Sequence, residues 1–102
     1  MPALAASNKG GDIAQGAVLF NNNCASCHVG GANVIKPSKT LQRKDLEKNL
    51  KSADQETIQK FFQGSMQHKL LNFPKVEGGK LSEEQVVDVT SYISDQAIGN
   101  KW

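Results

Sequence analysis

The chain has 102 residues, which is enough for one domain with a small apolar core. Its formal net charge of +2 is too small to indicate nucleic acid or an anionic membrane surface as the partner. No apolar run approaches the roughly 20 residues that cross a bilayer, so we expect a protein that is not embedded in a membrane.

Residues 1–11 are expected to form a flexible leader, ahead of a single domain that covers residues 12–102. The leader has no charged and apolar stretch long enough to be a secretory signal. Its Ala3-Leu4-Ala5 segment fits the remnant of an A-x-A cleavage site, and it fits a simple small-residue leader equally well.

The first predicted helix runs from about residue 12 to Asn22. Asp12 is a good N-cap for it. One face of the helix is then built from residues at i, i+3, i+4 and i+7, namely Ile13, Gly16, Ala17 and Phe20. Three consecutive asparagines end the helix and deliver the chain into a tight turn at Cys24.

The most informative segment follows this helix and reads Cys24-Ala25-Ser26-Cys27-His28. C-x-x-C-H is the spacing of covalent haem attachment, because two such thiols can each add to one vinyl group of the porphyrin while the histidine ligates the iron. A zinc site is disfavoured because it needs four ligands, and the two cysteines with His28 and His68 lack the usual paired spacing. A thioredoxin-like redox pair is disfavoured because nothing in the sequence predicts strands.

After the motif, Gly30, Gly31 and Asn33 predict irregular structure, and the stretch from Val34 to Pro37 is predicted to be extended. Two helices are then expected, one over about 43–50 and one from Asp54 to Gly64. Their predicted apolar positions are Leu46 and Leu50 in the first helix, and Ile58, Phe61 and Phe62 in the second.

The stretch from Gly64 to Leu81 is predicted to be a long loop, which in so small a domain is usually functional. Ser82 and Gln85 form a capping box in front of the last helix, which Gly99 closes. The predicted apolar stripe of that helix consists of Val86, Val89, Thr90, Ile93 and Ala97.

Charge is distributed unevenly along the sequence. Residues 36–51 are mainly basic, with Lys36, Lys39, Arg43, Lys44, Lys48 and Lys51, whereas residues 77–95 are mainly acidic. Such a dipolar molecule can be oriented during encounter with a charged partner, although solvated faces of ordinary helices would give the same pattern.

These features resemble the class I cytochromes c, and more narrowly the cytochrome c6 family. The residues that carry the resemblance are Gly16, Phe20, Cys24 to His28, Gly30-Gly31, Asn33-Val34-Ile35, Pro37, Thr40-Leu41, Leu46, Gly64, Gly79, Leu81-Ser82, Tyr92 and Trp102. The resemblance implies an all-α fold with about four helices around one covalently bound haem c and its iron, and with the first and last helices crossing.

The resemblance also implies roles for individual residues. Cys24 and Cys27 would be the thioether anchors and His28 the proximal iron ligand, with the carbonyl of Pro37 accepting the Nδ1 proton of His28. Gly16 would let the first helix approach the last, where Phe20 packs on Tyr92. Val34, Lys60 and Phe61 are expected to lie at the cofactor, Lys60 where the family usually has a glutamine.

The sixth iron ligand departs from the family pattern, because no Met-Pro pair occurs beyond residue 2. Counting without gaps along the family pattern puts His68 at the ligand position. Met66 is favoured instead by its thioether sulfur, which is the usual ligand in the family, and an open iron site is the third alternative. A second imidazole would give a lower potential than a thioether sulfur would. We expect His68, and hence a low-potential cytochrome.

The expected function is transfer of single electrons rather than enzymatic catalysis, in the thylakoid lumen or the bacterial periplasm after removal of a signal peptide. By resemblance, the partners would be membrane redox complexes such as a cytochrome bf complex and photosystem I or II, with the protein itself a monomer. The alternatives are an extrinsic structural haem subunit of a photosynthetic complex, an ordinary His/Met donor to photosystem I, and a haem sensor or peroxidase with an open iron site.

Overall fold

A computed structural model describes residues 11–64 and 82–102. The helices are α1 (Ile13–Asn23), α2 (Ala25–His28), α3 (Arg43–Leu50), α4 (Gln55–Gly64) and α5 (Glu83–Ile98), with a 3₁₀ turn over Val29–Gly31. The described part of the chain contains no strand, so the predicted all-α class is confirmed. Most of the predicted leader and the segment 65–81, with Met66 and His68, lie outside the described residues.

Side-chain caps start three of the helices where the sequence predicts them. The Asp12 carboxylate accepts a hydrogen bond from the backbone N–H of Gln15 at 3.1 Å, and Asp54 Oδ1 accepts one from Thr57 at 2.9 Å. Ser82 and Gln85 form the reciprocal capping box, with bonds of 3.1 and 2.8 Å. These bonds satisfy backbone donors that a helix start otherwise leaves unpaired.

The packing of α1 against α5 is the principal helix–helix contact. A Cβ added at Gly16 would lie 2.1 Å from the backbone oxygen of Asp88 and 2.7 Å from Cβ of Tyr92. Only glycine therefore permits this approach of the two backbones. Phe20 and Tyr92 pack beside the crossing with ring centroids 5.4 Å apart, so the predicted crossing and both its aromatic partners are confirmed.

The core lies between these helices and the inner faces of α3 and α4. Its buried apolar members are Leu19, Phe20, Leu46, Ala53, Ile58, Val89, Ile93 and Ala97. The predicted stripe of α5 is confirmed by the burial of all five of its members. No helix in the described ranges has both the length and the apolar character to cross a membrane.

The boundaries predicted for α4 are confirmed, and Ile58 is one of its buried residues. Phe61, which is expected to lie at the cofactor, is 51% exposed. Gln55 and Gln59 are also buried, and Gln55 Nε2 donates to Gln59 Oε1 at 2.7 Å and to Thr90 Oγ1 of α5 at 2.9 Å. Hydrogen bonding between the helices thus compensates the burial of polar side chains.

The segment from Val34 to Pro37 is bent rather than extended as predicted. The side chain of Asn33 causes the bend, since its Oδ1 accepts from the backbone N–H groups of Ile35 (3.0 Å) and Lys36 (2.8 Å). Its Nδ2 donates to the carbonyl of Lys39 at 2.9 Å, so one asparagine fixes the whole loop.

Candidate cofactor site at Cys24 to His28

The C-x-x-C-H motif forms a single helical turn. The backbone carbonyl of Cys24 accepts hydrogen bonds from the N–H groups of Cys27 at 3.1 Å and of His28 at 2.9 Å. Because residues three apart in a helix share a face, both thiols project from one side of this turn. The two cysteines are free thiols of intermediate burial, joined to α1 through the bond from Cys24 N–H to the Phe20 carbonyl.

The ring of His28 is held by the main chain. Its Nδ1 lies 2.8 Å from the carbonyl oxygen of Ala32, and because a carbonyl can only accept, Nδ1 carries the proton. The lone pair that coordinates a metal is therefore on Nε2. Burial lowers the pKa of His28, while the bond to Ala32 acts in the opposite direction, so the imidazole is neutral at pH 7.

The acceptor for Nδ1 is the Ala32 carbonyl, whereas the resemblance implied the carbonyl of Pro37. The reason is the left-handed backbone at Gly30 (φ 62°) and Gly31 (φ 81°), which turns the chain back under the imidazole one residue before Ala32. Pro37 lies farther along, in an exposed turn that the bond from Lys39 N–H to the Lys36 carbonyl closes at 2.8 Å.

Burial, to which the charge of Cys27 adds, raises the pKa of the Cys24 thiol to about 12. The thiol is consequently protonated at neutral pH and is a weak nucleophile towards other thiols. Burial thus favours the uncharged forms of both the Cys24 thiol and the His28 imidazole.

Two exposed apolar residues follow the motif closely in the chain. Val29 is 61% exposed and Val34 is 60% exposed, and Val34 is tied to the motif by the bond from its N–H to the Cys27 carbonyl at 2.9 Å. Lys60 and Phe61 lie on the exposed side of α4, a helix that packs mainly on α5. The structure thus ties Val34 to the motif through the main chain, whereas Lys60 and Phe61 lie on a separate helix.

The C-terminal residue contacts the loop that follows the motif, a role that sequence reasoning did not assign to it. Trp102 Nε1 donates to the Leu41 carbonyl at 2.8 Å, and Leu41 N–H donates to the Gly31 carbonyl at 2.7 Å. In the sequence, Trp102 is one of the residues that carry the family resemblance, but no helical or strand periodicity predicts this contact.

Comparison with known proteins decides the family. The cytochrome c family model matches residues 13–97 of the chain. Cytochrome c6 of Limnospira maxima is 40% identical over 90 residues, a match that covers 85% of this chain and 96% of the relative. The chain belongs to the cytochrome c family. It is similar also to cytochrome c6 of Synechococcus elongatus, at 37% identity over 86 residues covering 84% of this chain and 92% of that protein.

Solved cytochromes of this family share the fold. The structure of cytochrome c6 from the diatom Phaeodactylum tricornutum matches with a TM-score of 0.73 at 35% identity, covering 90% of this chain and all of that one. Oxidised cytochrome c6A from Arabidopsis thaliana matches with a TM-score of 0.69 at 30% identity, over 87% of this chain and 93% of the other. The class I cytochrome c fold is thereby confirmed.

As a c6-like cytochrome, the protein is a monohaem electron carrier with a covalently bound haem c and its iron. The chemistry of the site fits that group: two thiols on one turn, an imidazole with its lone pair on Nε2, and exposed apolar side chains beside them. Family membership sets aside the zinc and thiol-redox alternatives for the C-x-x-C motif.

Proposed function

We propose that Cys24 and Cys27 form the two thioether bonds to the haem and that His28 is the proximal iron ligand. The observation that carries this proposal is the bond from His28 Nδ1 to Ala32, within the same helical turn that presents both thiols. When bound, the haem supplies the one-electron couple. The chain tethers it through the two thiols and orients the imidazole through a main-chain carbonyl.

We further propose His68 as the sixth ligand, with Met66 as the alternative, and a potential below that of a His/Met cytochrome. Two features of the sequence support His68: it is the only histidine besides His28, and register with the family places it at the ligand position. A second imidazole favours ferric iron more than a thioether does, which lowers the potential.

For the physiological setting we propose electron exchange with membrane redox complexes, such as a cytochrome bf complex and photosystem I, in a thylakoid lumen or periplasm. The support is the set of cytochrome c6 relatives together with the exposed apolar side chains Val29 and Val34 beside the motif. Small, short-lived interfaces suit such exchange.

Potentiometry with absorption spectra on the wild type, His68→Ala and Met66→Ala tests the proposal. We expect a reversible one-electron titration with low-spin spectra in the wild type. His68→Ala should lose the low-spin spectrum or raise the potential as sulfur or water replaces imidazole. Gln67→Ala, between the two candidates, controls for general disturbance of the segment.

Two results would contradict parts of this proposal. A methionine–iron charge-transfer band that disappears only in Met66→Ala would assign the sixth ligand to Met66 and overturn the low-potential proposal. Rapid binding of carbon monoxide to the reduced wild type would show an open iron and would overturn the function of a simple carrier.

A further inference from the structure

Trp102 joins three parts of the fold. Its ring centroid lies 5.3 Å from that of Phe20 on α1 and 6.0 Å from that of Tyr92 on α5. Its Nε1–H donates to the Leu41 carbonyl at 2.8 Å, which fixes the end of the loop that follows the motif. The indole is therefore anchored to the principal helix crossing on one side and to this loop on the other.

The indole also lies directly against the backbone of Gly31. A Cβ added at Gly31 would be 2.5 Å from Cδ2 and from Cγ of Trp102, closer than any side chain tolerates. Gly31 is buried beneath the ring and has the left-handed φ of 81° that reverses the chain. Gly31 is therefore the residue that both contacts the indole ring and reverses the direction of the chain.

Gly31 immediately precedes the carbonyl that holds His28. The Gly31 carbonyl accepts from Leu41 N–H at 2.7 Å, so the two loop residues that Trp102 contacts are bonded to each other. Ala32 is itself exposed, and its N–H donates to the Val29 carbonyl at 3.1 Å. The position of its own carbonyl, 2.8 Å from Nδ1, is therefore set by that turn and by the preceding residue Gly31, which Leu41 and Trp102 hold in place.

We propose that Trp102 is a positioning residue for the haem: by pinning Gly31 and Leu41, it holds the Ala32 carbonyl on His28 Nδ1 and so helps to set the redox potential. The inference rests on the proposed role of His28 as iron ligand. A hydrogen bond from Nδ1–H to a carbonyl raises the basicity of the imidazole, and a more basic ligand favours ferric iron. Loosening the loop should therefore raise the potential.

The test uses the haem-loaded protein with Trp102→Phe, which keeps an aromatic ring but loses the N–H donor, and Trp102→Ala, which loses both. Two quantities are measured: the midpoint potential, and the exchange rate of the His28 Nδ1 proton by NMR in the ferrous state. Val89→Ala is the control, because it weakens the buried core of α5 without changing the loop contacts of Trp102.

We expect Trp102→Ala to shift the ferric–ferrous equilibrium towards ferrous iron by up to about tenfold, equivalent to about 59 mV. Proton exchange at Nδ1 should accelerate by about tenfold, the scale of one neutral hydrogen bond. Trp102→Phe should give a smaller change in the same direction in both measurements. Val89→Ala should lower the thermal stability and change neither the potential nor the exchange rate.

Unchanged potential and exchange in both Trp102 variants would overturn the proposal, as would equal changes in Val89→Ala. Failure of the underlying assignment has a separate signature. If His28 is not the iron ligand, the wild type itself will show no His28 ring signals displaced by the haem ring current. If His28 is the ligand and Trp102 has no positioning role, those signals are present and identical in every variant.

Discussion

Thr40 and Asp45 stabilise the start of α3 through a local hydrogen-bond network. Thr40 Oγ1 donates to Asp45 Oδ2 at 2.6 Å, and the Thr40 N–H donates to the same oxygen at 3.3 Å. The Gln42 N–H donates in turn to Thr40 Oγ1 at 3.2 Å. The hydroxyl bond, followed by the backbone bond, holds the pKa of Asp45 below its ordinary value of 3.8.

The pKa of Asp45 is lower in the folded protein than in the unfolded chain. The ionised carboxylate therefore adds to the free energy of unfolding above pH 3.8, and this contribution is lost as the pH falls through the pKa of Asp45 in the folded protein. We expect Thr40→Val to raise the pKa of Asp45 towards 3.8 and to destabilise the protein more at pH 7 than at pH 2. NMR titration of the carboxylates, with thermal unfolding at both pH values, measures this effect. Thr57→Val is the matched control, since it should raise the pKa of Asp54 and leave Asp45 unchanged.

At the residue scale, the sequence identifies the reactive groups of the site but not their supporting contacts. C-x-x-C-H is a chemical pattern that can be read from five adjacent letters. The partner of His28 Nδ1 depends instead on two left-handed backbone angles at Gly30 and Gly31. Adjacent glycines permit those angles without specifying them, so the choice of Ala32 over Pro37 became visible only in the folded chain.

At the scale of helices, the α1–α5 crossing depends on Gly16. Alanine has the better helix propensity, by about 1 kcal/mol. Its Cβ, however, would be 2.1 Å from the backbone oxygen of Asp88, and a backbone atom cannot move aside without separating the helices. We expect Gly16→Ala to lower the free energy of unfolding by about 2 kcal/mol, the typical cost of overpacking, as measured by denaturant titration.

Gly64→Ala is the control for that variant. Gly64 is the last residue of α4, and no described heavy atom lies within 4 Å of a Cβ added there. The same substitution should therefore be neutral or slightly stabilising at this position. Equal losses of stability in the two variants would mean that close approach at Gly16 does not limit the crossing.

Helix boundaries were predictable because caps and glycines mark them locally, whereas the burial of two glutamines in α4 was not. Gln55 and Gln59 can be buried because Thr90, 35 residues beyond Gln55, supplies a hydrogen-bond acceptor. Gln55 Oε1 finds no partner among the described residues, so even this compensation is incomplete. Long-range polar partners of this kind leave no local sequence pattern.

At the scale of the whole molecule, both charged segments of the sequence present exposed charge. Lys36 and Lys39 are exposed on the loop that adjoins the motif, while Arg43 pairs with Glu47 at 2.9 Å on α3. On α5, Glu83 and Glu84 are exposed, and Asp95 pairs with Lys101 at 2.9 Å. The two loop lysines follow the motif closely in the chain, which makes their loop the surface to test for steering.

Electron exchange with hexacyanoferrate, a small anionic reactant, tests whether the basic loop lies at the route of electron transfer. Lys36 is two residues from Val34, whose N–H is bonded to the Cys27 carbonyl, whereas Lys48 is an exposed residue on α3. We expect the wild-type rate to fall several-fold as salt rises from about 10 mM to about 500 mM, because screening shortens the reach of the charges. Lys36→Glu should slow the reaction more than Lys48→Glu at low salt, and the rates should converge at high salt. Since both variants change the net charge equally, equal slowing would assign the effect to overall charge and would contradict a steering role for the loop beside the motif.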